Sequence, residues 1–241
     1  MAEPLLLLQG VHTHIGQYHI LQGVDFAVPE GAMTVLLGRN GAGKTTTLRT
    51  IMGLWKPSRG TLRFAGRSIA GWAAPDIARA GIAYVPETMG VFSDLTVAEN
   101  MLLAARAGPI NGARLDWVFS FFPALKRFWT HPAGTLSGGQ KQMLSIARAV
   151  IEPRRLLLID EPSKGIAPAI IENMIRAFRE LKRERTTILL VEQNFRFAEA
   201  LGDRAVVMDD GRIVHDAGMA ELAADTATQR RLLGLSLEAP A

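Results

Sequence analysis

The stretch LLGRNGAGKTTTLRTI, residues 36–51, constrains the fold of this chain more than any other, because it sets Gly38, Gly41, Gly43, a lysine and a run of three threonines between two apolar segments. The spacing from Gly38 to Thr45 is G-x-x-x-x-G-K-[ST]. Its glycines let consecutive backbone N–H groups turn toward one point, which makes an anion nest suited to phosphate. Lys44 would reach the terminal phosphates as a flexible point charge. The Thr45 hydroxyl can replace one water on Mg²⁺, an ion that keeps most of its own hydration. Met33 to Leu37 reads as a short buried strand and Thr45 to Met52 as a helix whose N-terminus faces the bound anion. A strand, loop and helix in that order predict a nucleoside triphosphate site.

Composition limits the rest. A length of 241 residues suits one large domain or two lobes, and 48% hydrophobic content supplies a sizeable core. The N-terminal MAEPLLLLQG is acidic where an export signal would be basic, so no export is expected. No apolar run nears the ~20 residues needed to cross a bilayer, which leaves a peripheral role at a membrane. The absence of cysteine excludes disulfides and thiolate metal sites. The net charge of +4 is spread along the chain, and pairs such as Lys126-Arg127 and Arg230-Arg231 read as solvated faces. Nucleic acid is therefore not expected as a partner, although a basic protein can sit near anionic lipid.

Residues 5–30 read as short strands, and KPSRGTLRFAGRSI as a turn, a strand, an Ala65-Gly66-Arg67 turn and a second strand. Val97 to Arg106 and Leu115 to Phe128 read as helices separated at Pro109 and Gly112, which predicts a helical insertion. The runs Leu156 to Asp160 and Thr187 to Val191 are continuously apolar, as in a parallel sheet covered on both faces. Between them Ile170, Ile171, Met174, Ile175, Phe178 and Leu181 recur at helical spacing, giving a strand, crossover helix, strand unit. Asp210-Gly211 between two apolar runs is a hairpin signal. His12 and His14 lie two apart, as on one strand face, but lack a third ligand in the sequence, and no zinc is expected. The rings of FSFFPALKRFW read as core packing, with some available to line a groove for a partner's helix.

The strand in LIDEP ends on Asp160 and Glu161. Asp160 can hold the Mg²⁺ shell, and Glu161 can orient or deprotonate a water for in-line attack on a γ-phosphate. Alone, such a pair reads equally well as a turn or helix cap; beside a phosphate loop it makes a hydrolysis site. Upstream, Ser137, Gly138 and Gly139 open a strongly helical run near Gln140, and that helix N-terminus is a second place for an anion. Ser137 alone would merely cap the helix. Since the first nest is already complete, a second one suggests a nucleotide enclosed between two chains.

In this order, GRNGAGKT, YVPE, LSGGQ, LLLIDEP and LLVEQN resemble the nucleotide-binding subunit of ATP-binding cassette (ABC) transporters over nearly the full chain. More narrowly, IMGL, VFSDLTVAEN, DEPSKGIAP and VEQN look like the ATPase subunits of branched-chain amino acid importers, a group that includes urea and short-amide uptake systems. The resemblance implies an α/β fold: a P-loop NTPase (RecA-like) core with an antiparallel β subdomain and an inserted α-helical signature subdomain. It implies a single domain over 1–241, with a nucleotide-binding core lobe of 1–86 and 151–241 and a helical lobe of 87–150. It places Gly38, Asn40, Gly41, Gly43, Lys44, Thr45 and Thr46 around the phosphates of ATP and Mg²⁺, with Asp160 by the metal and Glu161 as base. Ser137, Gly139 and Gln140 would act on the partner's nucleotide. The segment from Glu87 would link the lobes and sense the membrane subunit.

Three departures stand out. Glu87 occupies a position where most cassettes have Gln; its carboxylate can still approach metal-bound water but adds charge beside a triphosphate. Gln193 occupies the position of a switch His and can hydrogen-bond a phosphate or water without titrating near neutral pH, which favours Glu161 as base. The aromatic that stacks on adenine aligns with Ile15, with Tyr18 three residues on, so looser base selectivity is expected. The function implied is an ATP-hydrolysing subunit on the cytoplasmic face of the bacterial inner membrane. It would pair with a second cassette ATPase and transmembrane permease subunits, and indirectly with a periplasmic binding protein, to import branched-chain or related hydrophobic amino acids. Urea or short-amide import, export of lipid or lipopolysaccharide, and a soluble cassette ATPase on DNA or ribosomes are the alternatives.

Overall fold

The computed structural model describes residues 3–105 and 108–234. The first half contains β1 (Leu6–Ile15), β2 (Tyr18–Val28), β3 (Met33–Leu37), α1 (Lys44–Ile51), β4 (Pro57–Phe64), β5 (Arg67–Ser68), α2 (Ala74–Arg79) and β6 (Ile82–Val85). Four α-helices follow, with a 3₁₀ turn at Ala133–Thr135 before the last: α3 (Val97–Ala104), α4 (Gly112–Phe121), α5 (Pro123–Arg127) and α6 (Gly138–Val150). The chain then runs through β7 (Leu156–Asp160), α7 (Pro168–Arg183), β8 (Thr187–Glu192), α8 (Phe195–Glu199), β9 (Arg204–Asp209), β10 (Arg212–Gly218), α9 (Met219–Ala224) and α10 (Thr226–Leu233).

Two sheets organise these elements. The larger has the order β10-β9-β3-β8-β7-β6, parallel from β9 to β6, with β10 antiparallel at one edge. The smaller is antiparallel, in the order β2-β1-β4-β5. The architecture is the expected α/β one, with a parallel core, an antiparallel β unit and a helical stretch inserted before β7.

The apolar runs fold as buried strands because each feeds two cores at a period of two. Met33, Val35 and Leu37, with Leu157, Ile159, Ile188 and Leu190, face a core shared with α3 to α7. Leu36, Leu156, Leu158, Leu189 and Val191 face the other core, against α1 and the antiparallel sheet. The crossover α7 buries Met174, Ala177, Phe178 and Leu181 on one stripe. The Asp210-Gly211 hairpin joins the two sheets at the phosphate loop: Gly211 N donates to Ala42 O (2.9 Å), and Gly211 O accepts from Gln22 N (2.8 Å). A Cβ at Gly211 would lie 2.1 Å from Ile20 O, so only glycine fits this junction.

Local readings differ from the structure at element ends. Residues 5–30 hold two long strands instead of short ones, because β1 is sandwiched between β2 and β4. Arg67 already belongs to β5, leaving a tighter turn than expected. The helix predicted over Leu115 to Phe128 is two helices, α4 and α5, since Pro123 cannot continue the hydrogen-bond ladder and restarts it as a first-turn residue. Gly112 starts α4 instead of separating helices, with Asn111 Oδ1 capping Arg114 N. The expected end of the preceding helix at Arg106 lies outside the described residues. Phe122 is fully buried, and Phe119, Phe121, Phe128 and Trp129 pack partly buried on the same core, so these rings are structural. His12 and His14 stack with His19 of the facing strand, His14 and His19 at 4.2 Å between ring centres, a grouping their own spacing does not disclose.

Candidate nucleotide site

The site forms where β3, β7 and β8 end, each handing its last residues to a loop on the same side of the sheet. After Leu37 the chain turns through Gly38, whose Cβ, were it present, would meet Met208 O at 2.3 Å. Gly43, at φ 106°, is the N-cap of α1 and turns the loop's N–H groups inward. Lys44 is 4% exposed, and its ammonium donates to Gly38 O (2.8 Å) and Arg39 O (3.0 Å) while standing 3.3 Å from Glu161 Oε1. The lysine thus spans the loop and pairs with the carboxylate that follows β7. Thr45 Oγ1 donates to Asp160 Oδ1 (3.1 Å), joining the two sequence motifs across 115 residues. A cavity of 360 Å³ opens here, lined by Asn40, Gly41, Gly43, Lys44, Thr45 and Thr46 of the loop together with Ile20, Glu87, Glu161 and Lys164.

Asp160 is fully buried and also accepts from the Tyr84 hydroxyl (3.3 Å). Burial drives its pKa from 3.8 up to about 6, against the pull of the Thr45 and Tyr84 hydrogen bonds and helped by the nearby negative charges of Glu161 and Glu87. A buried carboxylate held by hydroxyl donors and poised to lose its proton suits a divalent cation, which would supply the missing positive charge. Burial, then the charge of Asp160, likewise pushes Tyr84 up to about 12, keeping it a proton donor.

Glu161 has φ 45°, a left-handed conformation that costs a non-glycine residue ~1–3 kcal/mol. Its N–H is held by Val191 O (2.9 Å). Burial alone would raise its pKa, but the Gln193 hydrogen bond and the Lys44 and Lys164 ammoniums outweigh that and lower it. Gln193 Nε2 donates to Glu161 Oε1 (2.6 Å) and to Asn40 Oδ1, so one carboxamide ties the β8 loop to both motifs.

Glu87 meets Lys164 at 2.6 Å, and the same ammonium stands 3.4 Å from Glu161. Ser137 and Gln140 form a capping box at the start of α6, Gln140 N donating to Ser137 Oγ (3.3 Å) and Ser137 N to Gln140 Oε1 (2.9 Å). Gly139 packs against α7, where a Cβ would come 2.4 Å from Ile170 Cδ1. None of these three residues lines the loop's own cavity. Of the residues read from sequence as beside the base, neither Ile15 nor Tyr18 lines the cavity; Tyr18 is 65% exposed, and Ile20 lies there instead.

Sequence reasoning missed three participants. Glu192 is buried at the end of β8 and accepts from Ser163 N (3.0 Å), Gln193 N (3.1 Å) and Asn194 N (3.2 Å), which orients both loops around Glu161. Its signal was a glutamate ending an apolar strand. Tyr84 and Lys164 carry no comparable local signal.

Residues 21–164 match the family described as ABC transporter. The chain is 42% identical over 221 residues to the high-affinity branched-chain amino acid transport ATP-binding protein BraG of Pseudomonas aeruginosa, across 90% of this chain and 95% of that one. It is 34% identical over 234 residues to the probable branched-chain amino acid transport ATP-binding protein LivF of Archaeoglobus fulgidus, across 95% and 99%. A solved structure described as the ATP binding subunit of an ABC transporter superposes with a TM-score of 0.80 at 31% identity, covering 97% of this chain and 96% of that chain. The shared family, the matching fold and a phosphate loop joined to Asp160 and Glu161 lead to one conclusion: the chain belongs to the ABC transporter family, as an ATP-binding subunit whose cassette hydrolyses ATP.

Proposed function

We propose that this subunit drives uptake of branched-chain or related hydrophobic amino acids from the cytoplasmic face of a bacterial inner membrane. The observation that carries the reading is the 42% identity to BraG over nearly the whole of both chains. The chain works as a single cassette in this reading, with 1–86 and 151–241 as the nucleotide-binding lobe and 87–150 as the helical lobe. Two cassettes close over two ATP molecules, with Ser137, Gly139 and Gln140 of one chain meeting the nucleotide of the other. Their absence from their own chain's cavity supports that arrangement.

At each site Gly38, Asn40, Gly41, Gly43, Lys44, Thr45 and Thr46 hold the phosphates, and Thr45, Asp160 and Glu87 are the residues that would provide oxygen for Mg²⁺. The hard oxygen donors and the raised pKa of Asp160 fit that ion. Bound there, Mg²⁺ would offset charge developing on the phosphate oxygens. Glu161, with a lowered pKa and a carboxylate fixed by Gln193, takes the proton of the attacking water. Gln193 positions that water and the γ-phosphate, and Ile20 offers an apolar contact to the base.

Permease subunits are the partners that receive the stroke, with a periplasmic binding protein delivering substrate to them. The side chains of Phe92, Leu102 and Leu103, 49%, 59% and 57% exposed, support a docking face near the segment that begins at Glu87. A groove of 420 Å³ lined in part by Pro86, Met89, Ala104 and Arg148 adjoins that segment. The test is Glu161→Gln in the assembled transporter: ATP binding persists, turnover nearly vanishes and an ATP-bound dimer accumulates on a sizing column. Wild-type turnover in that variant overturns the assignment of the base, and co-purification with ribosomes or DNA in place of a permease overturns the transport role.

A further inference from the structure

Asp160 is held through both of its carboxylate oxygens, and by hydroxyls alone. Oδ1 accepts from Thr45 Oγ1 (3.1 Å) and Oδ2 from the Tyr84 hydroxyl (3.3 Å). No ion pair reaches Asp160 among the described residues.

The backbone explains why these groups meet. β6 is the edge strand and runs parallel to β7 with Tyr84 beside Leu158. Asp160, two residues beyond Leu158, therefore lies on the same face of the sheet as Tyr84. That diagonal separation is within reach of an aromatic side chain. Helix α1 covers this face, and its Thr45 and Arg49, four residues apart, share one side of the helix. Arg49 and Tyr84 wall one hollow together with Leu54, Trp55 and Pro86, and the Arg49 guanidinium acts on the Tyr84 hydroxyl. A guanidinium has no acceptor, so the hydroxyl turns its lone pairs to Arg49 and its one proton to Asp160.

This arrangement divides the carboxylate. Oδ2 is committed to Tyr84 on the side of the edge strand, and Oδ1 is turned to Thr45 at the phosphate loop. A side chain tied at both ends offers the nucleotide one oxygen in one place. Mg²⁺ demands near-ideal octahedral geometry and takes few carboxylate oxygens, whereas Ca²⁺ accepts both oxygens of one carboxylate in flexible arrangements.

We propose that Tyr84 is a positioning residue that makes the nucleotide site prefer Mg²⁺ to Ca²⁺, by keeping Asp160 from turning both oxygens toward the phosphates. The inference rests on the reading of Asp160 as the carboxylate beside the cation. Tyr84 acts only through Asp160, since it does not line the phosphate-loop cavity. Residues that hold a metal ligand by hydrogen bonds commonly tune the metal without touching it.

The test is binding of a fluorescent ATP analogue to the full chain in EDTA, in Mg²⁺ and in Ca²⁺, for the wild type, Tyr84→Phe and Asp160→Asn. Tyr84→Phe keeps the ring that walls the groove beside Pro86 and Met89 and removes only the hydroxyl. Its affinity in EDTA is expected to match that of the wild type. The gain in affinity from Mg²⁺, taken relative to the gain from Ca²⁺, is expected to fall about tenfold. Asp160→Asn is expected to lose most of the gain from either cation. An unchanged ratio in Tyr84→Phe, beside an Asp160→Asn that has lost its gain, overturns the role of Tyr84 and leaves that of Asp160 standing. A full Mg²⁺ gain in Asp160→Asn overturns the metal role of Asp160 and the proposal with it. A fall of equal size in all three solutions makes Tyr84 a structural residue and likewise overturns the proposal.

Discussion

Lys164 Nζ lies 2.6 Å from Glu87 and 3.4 Å from Glu161, so a single ammonium joins the segment that begins at Glu87 to the carboxylate assigned as base. Glu87, read in sequence as excess negative charge, is thereby neutralised by a residue 77 positions away. The pair is solvent-exposed, and its effect on rate is small. Lys164→Leu should lower turnover only a few-fold while raising the pKa that governs the acid limb of the pH–rate profile, because Glu161 loses one of the charges that hold it down. Adding Glu87→Gln should restore part of the loss. A pH–rate profile unmoved by Lys164→Leu contradicts the link.

Asp160 predicts an unusual pH dependence of stability. Its carboxyl titrates near 6 in the folded chain against 3.8 ordinarily. Between those values the folded chain holds a proton that the unfolded chain has released, so this residue's contribution to stability falls as pH rises through the window and stays low above it. Asp160→Asn removes that penalty. In the absence of nucleotide it should exceed the wild type at pH 7.5 by roughly 1–3 kcal/mol, the gap closing toward pH 4.5. Urea melts at three pH values measure this, and the same variant should lose stabilisation by Mg²⁺ and ATP.

Glu192 touches no part of the nucleotide cavity, yet three N–H groups converge on it. In Glu192→Gln the carboxamide NH₂ must face at least one of those donors, at a cost of about 1–3 kcal/mol. Thermal melting should record that loss. Turnover should fall further than nucleotide affinity, since the loops displaced are those carrying Gln193 and following Glu161. Equal losses in both would assign Glu192 a purely structural part.

Gly38 tests the loop itself. In Gly38→Ala the new methyl would meet Met208 O at 2.3 Å, a backbone atom of a central strand that cannot yield cheaply. Destabilisation of about 3 kcal/mol or more is expected, with loss of nucleotide binding measured by a fluorescent ATP analogue. Near-normal affinity would mean that the loop can reach its geometry by another route.

The phosphate loop, the buried strands, the crossover helix and the Asp210-Gly211 hairpin were legible because each is set by neighbours a few residues apart: alternation at a period of two, apolar residues at helical spacing, glycine where the backbone turns. Asp160 and Glu161 were legible as strand-end carboxylates, and Ser137 as the start of a helix. The sequence by itself also determined that Pro123 must interrupt a helix, although periodicity alone concealed it. Only the tertiary structure decided which groups meet. Lys164 finding Glu87, Tyr84 reaching Asp160, Glu192 gathering three N–H groups and Ile20 lining the phosphate-loop cavity all depend on strand order. The physical reason is that β3, β8 and β7 lie adjacent in space while more than a hundred residues separate the first from the others in the chain, so the charges and donors they bring together have no signature in local spacing.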